Sequence, residues 1–226
     1  MINSLDGKVV VITGANGCLG AAVSEKARSM GARLVLMDLM MPATQRPEDQ
    51  WIEVDLLDLT AVIACADLVD RVDALFHIAG GFDIGPPVYE LSEQQLESSF
   101  KLNVTTFQHV TKAFSSKMIR QRKGSIVSIG AMGAATGQAY MGPYCAAKNA
   151  LKTLTESLSA EIKNEGVNVN CVLPSVINTP ANRKSMPDAE HGRWVAPGDL
   201  AEVICFLGTE AARAIHGASI PVQALI

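Results

Sequence analysis

Tyr144 and Lys148 lie four residues apart, so on a helix beginning near Pro143 they share one face, a turn from each other. A free phenol titrates at about 10 and is a poor proton donor or acceptor at neutral pH. A cation beside it favours the phenolate and draws it toward the working range. Such a pair can hand a proton to a substrate while a cofactor hands over hydride. Tyr-x-x-x-Lys is common on helices, so its meaning comes from what precedes it. Lys8 to Thr13 (KVVVIT) is an apolar strand that runs into Thr13-Gly14-Ala15-Asn16-Gly17-Cys18-Leu19-Gly20 and then a helix. Glycines there let backbone N–H groups and a helix N-terminus approach a pyrophosphate. Eighteen residues past Gly20, Asp38 closes a second strand. A carboxylate at that point accepts hydrogen bonds from an adenosine ribose and repels a 2′-phosphate, which favours NAD(H) over NADP(H). Neither position 39 nor the glycine turn carries an Arg that could hold such a phosphate. Asp55 ends a third strand, where contact with an adenine edge and helix capping by Asp55 or Asp58 are equal readings. Ala79-Gly80-Gly81 follows a fourth strand and admits the cofactor's backbone closely.

These residues need a frame, and the apolar pattern supplies one. Strand-length runs at Lys8 to Thr13, Ala32 to Met37, Trp51 to Val54, Ala74 to Ile78, Ser125 to Ile129 and Val167 to Leu173 alternate with helical stretches. A short last strand over Ser219 to Val222 is possible on the same pattern. The helical stretches are Gly20 to Met30, Asp58 to Asp70, Ser92 to Arg122, Tyr144 to Asn164 and Pro197 to Ala212. Repeated strand-then-helix order predicts one doubly wound α/β domain with a parallel sheet buried on both faces. Met40 to Gln50, with two prolines in eleven residues, predicts a loop where a crossover helix would otherwise stand.

Composition narrows the classes. The 226 residues are 48% hydrophobic and 19% charged, with a net charge of −4, which excludes disorder as the main state and supplies no basic field for nucleic acid. Five dispersed cysteines form no C-x-x-C, and four histidines lack metal-ligand spacing, so free thiols and no metal are expected. The long uncharged run from Gly124 to Ala147 is broken by glycines and Pro143, so no membrane span is expected. Residues 1 to 7 carry no basic or apolar export signal, and the cytoplasm is the expected compartment.

The set T-G-x-x-G-x-x-G, Asp38, A-G-G at 79 to 81, Asn103, Y-x-x-x-K at 144 to 148, and Pro174 followed by Thr179 resembles the short-chain dehydrogenase/reductase family along the whole chain. The resemblance implies a Rossmann-like domain with a seven-stranded parallel sheet. It implies Tyr144 as proton donor, Lys148 orienting the ribose and lowering the tyrosine pKa, and Asn103 holding a proton-relay water. Gly14, Gly17, Leu19 and Gly20 would meet the pyrophosphate, and the Ile177 backbone and Thr179 side chain the carboxamide of nicotinamide. The cofactor wall it implies also takes in Asn16, Cys18, Asp55, Leu56, Ile129 and Pro174. Helices 92 to 122 and 144 to 164 commonly pair two subunits in this family, so a homodimer or homotetramer is implied; their stripes (Val104, Phe107, Phe114; Leu151, Leu154, Leu158) fit core packing equally well.

Two departures stand out. Cys18 occupies the pattern's middle-glycine slot, and Ala131 stands where the family carries its catalytic serine, thirteen residues before Tyr144. Both departures, A-G-G and the segment from Thr179 to Asp188 resemble the dihydropteridine reductase branch, whose substrate is a conjugated ring; Asn103 follows the ordinary dehydrogenase pattern instead. The expected function is NADH-dependent reduction of a small conjugated ring or carbonyl. The alternatives are an ordinary ketone or alcohol enzyme in which Ser128 or a water replaces the serine, and an NAD(H) sensor. Arg183 and Lys184 could face substrate or solvent, and Trp194 could stack on a ligand or pack beneath a lid.

Overall fold

The computed structural model describes residues 3 to 226; Met1 and Ile2, part of the amino-terminal stretch read above for export, lie outside the described residues. Seven strands, β1 (Val9–Thr13), β2 (Arg33–Asp38), β3 (Gln50–Glu53), β4 (Ala74–His77), β5 (Gly124–Ile129), β6 (Val167–Pro174) and β7 (Ser219–Val222), form one sheet. Its order is β3-β2-β1-β4-β5-β6-β7 and every pairing is parallel. The predicted doubly wound, Rossmann-like domain is therefore present.

Successive residues of a strand point to opposite faces, and both faces here are covered. Val10, Ile12 and Phe76 pack on one side, with α1 (Cys18–Ser29) and α7 (Pro197–Leu207). Val11, Leu75 and Ile126 pack on the other, with α2 (Leu59–Asp67), α4 (Thr106–Gln121) and α5 (Gly142–Ile162). The strand order reverses between β1 and β4, which opens a crevice at the carboxyl ends of those strands.

The helix expected over 92 to 122 is not uniform. α3 (Glu93–Phe100), opened by a Ser92–Gln95 capping box, continues through a π turn over Lys101–Thr105 into α4. Asn103 sits in that turn. A short helix, α6 (Pro180–Ser185), begins after Thr179 where none was expected, because Thr179 caps it and Pro180 has the right fixed φ for a first turn. The last helix stops at Leu207, earlier than its apolar pattern suggested. Phe107, Phe114 and Leu151 of the apolar stripes are buried, so those stripes are mainly core, while Leu154 is exposed.

Candidate active site

The crevice is built first from glycines. Gly14 has φ +66, and a Cβ there would lie 2.7 Å from the Ala79 nitrogen, so the turn after β1 touches the turn after β4 directly. A Cβ on Gly20 would overlap the Gly14 carbonyl oxygen, which welds the start of α1 onto its own turn. α1 begins two residues earlier than its pattern suggested, at Cys18, with Gly17 as N-cap, no capping side chain and no acid in its first turn. The first intrahelical bond is Ala21 N–H to Gly17 O, so the amides before it remain available to an anion. The Cys18 thiol in the middle-glycine slot is exposed, and Leu19 is buried in the core.

Asp38, at the end of β2, accepts from Asn16 N at 2.8 Å and from Leu39 N at 2.8 Å, which fixes its carboxylate beside the glycine turn. Asp58 caps α2 by accepting from Ala61 N, which settles the capping role and leaves Asp55 exposed past β3 with Oδ1 on Leu57 N. The Leu56 side chain is core, so only its backbone can serve a ligand; its carbonyl meets His109 Nδ1 at 2.9 Å.

Opposite the turn stands α5, with Pro143 in its first turn and Tyr144 and Lys148 on one face. The Tyr144 ring meets Phe82 edge-on, centroids 4.9 Å apart at 87°. Lys148 is buried and donates from Nζ to Ile129 O at 2.8 Å, with Nζ 6.0 Å from the Tyr144 ring centre. Burial lowers the Lys148 ammonium to about 8 and raises the Tyr144 phenol to about 12. The expectation that Lys148 pulls the phenol down is thus corrected for the free protein: desolvation dominates, and the ammonium spends a proton on a backbone carbonyl. Asn103 Oδ1 accepts from Gly81 N at 3.1 Å, and its Nδ2 donates to Ser99 O at 3.1 Å. A Cβ on Gly80 would come within 2.9 Å of Asn103 Oδ1 and 3.2 Å of Lys148 Nζ, so three sequence-distant segments converge there.

Ser128 does not stand in for the missing serine. Its Oγ is fully buried and 2.8 Å from Thr155 Oγ1. Thr155 follows Tyr144 by eleven residues, about 16 Å along the helix axis. Ala131 lies two residues past β5 in extended backbone and offers only a methyl group.

The rim is formed by β6 and α6. Pro174 ends β6, the Ile177 carbonyl accepts from Asn182 Nδ2, and Thr179 Oγ1 accepts from Asn182 N as the α6 cap. Arg183 donates from Nε to Asn178 Oδ1 at 2.6 Å, and Lys184 is exposed. Trp194 is buried against His191, ring centres 4.6 Å apart, which answers its question in favour of packing. Sequence reasoning missed Phe82 and the buried His77; the polar histidine inside an apolar strand next to A-G-G was the available signal for the second. All five cysteines are free, and no group of His, Cys, Asp and Glu among the described residues is arranged to hold a metal. No helix among the described residues is long and apolar enough to cross a membrane.

Comparison with known proteins agrees with this geometry. The short chain dehydrogenase family matches residues 8–190. A D-threitol dehydrogenase of Mycolicibacterium smegmatis is 28% identical over 97% of this chain and 92% of its own length. A sorbitol dehydrogenase of Cereibacter sphaeroides is 31% identical over 77% of this chain and 72% of its own. Among solved structures, the carveol dehydrogenase of Mycobacterium avium in complex with NAD superposes with a TM-score of 0.87 at 23% identity, covering 98% of each chain. A match over most of the chain, together with a glycine turn, an acidic strand end and a Tyr-Lys helix meeting at one switch point, makes this chain an oxidoreductase of the short-chain dehydrogenase family.

Proposed function

We propose that the protein is an NAD(H)-dependent reductase of a small conjugated ring or carbonyl compound, with Tyr144 as the proton donor. The observation that carries this reading is the pairing of a half-buried, protonated Tyr144 with a methyl group at Ala131. Charge developing on an isolated carbonyl oxygen needs a second donor, whose loss costs about 3 kcal/mol of barrier by analogy with oxyanion-hole donors. A conjugated, electron-poor ring such as a dihydropterin spreads that charge and tolerates the methyl.

The uncapped start of α1 and the converging glycines fit a pyrophosphate, and the Asp38 carboxylate fits a free ribose while repelling a 2′-phosphate. Gly14, Asn16, Gly17, Cys18, Leu19 and Gly20 would form that cradle, Asp55 and the Leu56 backbone the adenine side, Ala79, Gly80, Gly81, Ile129 and Lys148 the floor, and Pro174, Ile177 and Thr179 the nicotinamide rim. When bound, the nicotinamide supplies hydride. Tyr144 supplies the matching proton from its phenol oxygen and regains one from solvent, and buried Lys148 sets the local charge. Each end of the Asn103 side-chain amide makes one hydrogen bond, so one N–H and one oxygen lone pair remain to hold a relay water.

The experiment is oxidation of NADH and NADPH followed optically, with a dihydropterin beside ketones, ketoses and quinones. Turnover with NADH on the ring substrate is expected; turnover on ketones alone overturns the conjugated-ring part of the assignment and leaves the carbonyl part, and equal use of NADPH overturns the role of Asp38. Tyr144→Phe should lower kcat about a hundredfold or more with NADH binding unchanged, and full activity would remove Tyr144 as donor.

A second reading rests on the relatives named for threitol, sorbitol and galactitol, which favour a polyol or ketose. It expects Ala131→Ser to raise ketone turnover. Subunit pairing is part of the proposal: Leu96, Leu102 and Leu154 leave apolar surface on α3, the π turn and α5. Light scattering should give at least twice 24.0 kDa, and a stable 24.0 kDa species would exclude it.

A further inference from the structure

Behind the Asn103–Gly81 contact lies a buried histidine that the reaction itself does not use. His77, in β4, is 1% exposed, with the ring of Phe107 edge-on at 5.6 Å. Its Nδ1 is 3.0 Å from Thr13 Oγ1, and its Nε2 is 3.4 Å from Thr106 Oγ1. Thr13 Oγ1 also accepts from Ala79 N at 3.3 Å, and Thr106 Oγ1 donates to Leu102 O at 2.8 Å. Each hydroxyl has one proton, so the directions follow by counting. Thr106 spends its proton on Leu102 O and must accept from His77 Nε2–H. His77 Nδ1 is then the acceptor, and Thr13 O–H donates to it. Every donor and acceptor is used once: Ala79 N–H to Thr13, Thr13 to His77, His77 to Thr106, Thr106 to Leu102 O. The opposite tautomer would leave the Thr13 proton or the Leu102 carbonyl without a partner in a dry interior.

The two ends of this chain are the neighbours of the site's convergence point. Ala79 precedes Gly80 and Gly81, and Leu102 precedes Asn103, whose Oδ1 accepts from Gly81 N. The hydrogen bonds therefore close a ring that runs from the A-G-G turn through β1, His77 and Thr106 into the π turn and back across the Asn103–Gly81 bond. We infer that His77 is a positioning residue: in its Nε2–H tautomer it holds the π turn in register with the A-G-G turn and so aims Asn103 and Gly80 relative to Lys148. This rests on the function proposed above only for its kinetic consequence.

The test breaks the ring at one end with near-isosteric changes. Thr106→Val removes the hydroxyl and keeps the shape, whereas Thr106→Ser keeps the hydroxyl. With thermal transitions confirming that both fold, Thr106→Val should lower kcat about ten- to hundredfold, as expected of a displacement of up to about 1 Å, with NADH affinity within about threefold of the parent. Thr106→Ser should retain most of kcat. In nitrogen-15 spectra of the whole protein, His77 should carry its proton on Nε2, and the Asn103 side-chain amide signals should move in Thr106→Val and stay in Thr106→Ser. A proton on Nδ1, unmoved Asn103 signals, or undiminished kcat in Thr106→Val would overturn the inference. Should the parent enzyme transfer no hydride to any acceptor tried, the functional reading falls, and the spectra still decide the role of His77.

Discussion

Tyr144 and Lys148 share a helical face, yet burial drives them in opposite directions, the phenol to about 12 and the ammonium to about 8. Their order in pH follows. Tyr144 keeps its proton throughout the physiological range, while Lys148 is charged below about pH 8 and neutral above it. The kcat/KM profile for reduction, which reports the free enzyme, should therefore fall as pH rises through about 8, and the limb should leave the accessible range in Lys148→Arg. A limb unmoved in that variant would assign it elsewhere. His77 is shifted by the same cause, from 6.5 down to about 3. The unfolded chain binds a proton at this residue below about 6.5 and the native one does not until about 3, so its contribution to stability is lost as pH falls across that window. The slope for one group is at most about 1.4 kcal/mol per pH unit. Urea midpoints at about pH 7 and pH 5 should converge in His77→Asn relative to the parent; an identical pH dependence would place the proton uptake elsewhere.

At the level of elements, the turn between β1 and α1 is the least forgiving piece of the fold. Gly20→Ala would set a methyl against the Gly14 carbonyl oxygen and should cost about 3 kcal/mol, with loss of NADH binding. Gly17→Ala meets only that oxygen, at 3.3 Å, and should be milder. Thermal unfolding beside an NADH fluorescence titration separates the two effects. Strands, the irregular 40 to 50 crossover and the helix carrying Tyr144 were legible because apolar runs, prolines and periodicity act locally. The π turn was not: no residue type in the sequence marks the switch to i to i+5 bonding, and the His77 ring that faces Thr106 there belongs to another strand. The direction of Ser128 was equally hidden. In a parallel sheet covered on both faces, alternation carries no inside-outside contrast, so a strand-end serine does not announce which face it takes.

Across the whole molecule, the site exists only where two halves of the chain meet. β1 is central, between β2 and β4, and its residue Val10 pairs with Ala74, sixty-four positions later. Asp38 was legible as a strand end, but its contact with Asn16 depends on that assembled frame. The central place of β1 has a consequence for biosynthesis. Val9 to Thr13 are all buried in the finished protein, and one hydrogen-bonding edge of that strand waits for a partner not yet made. At translation rates of about 5–20 residues per second the wait is about 3–13 s. For that interval the nascent chain carries an apolar strand with an open edge, the kind of surface that recruits chaperones or another copy of itself.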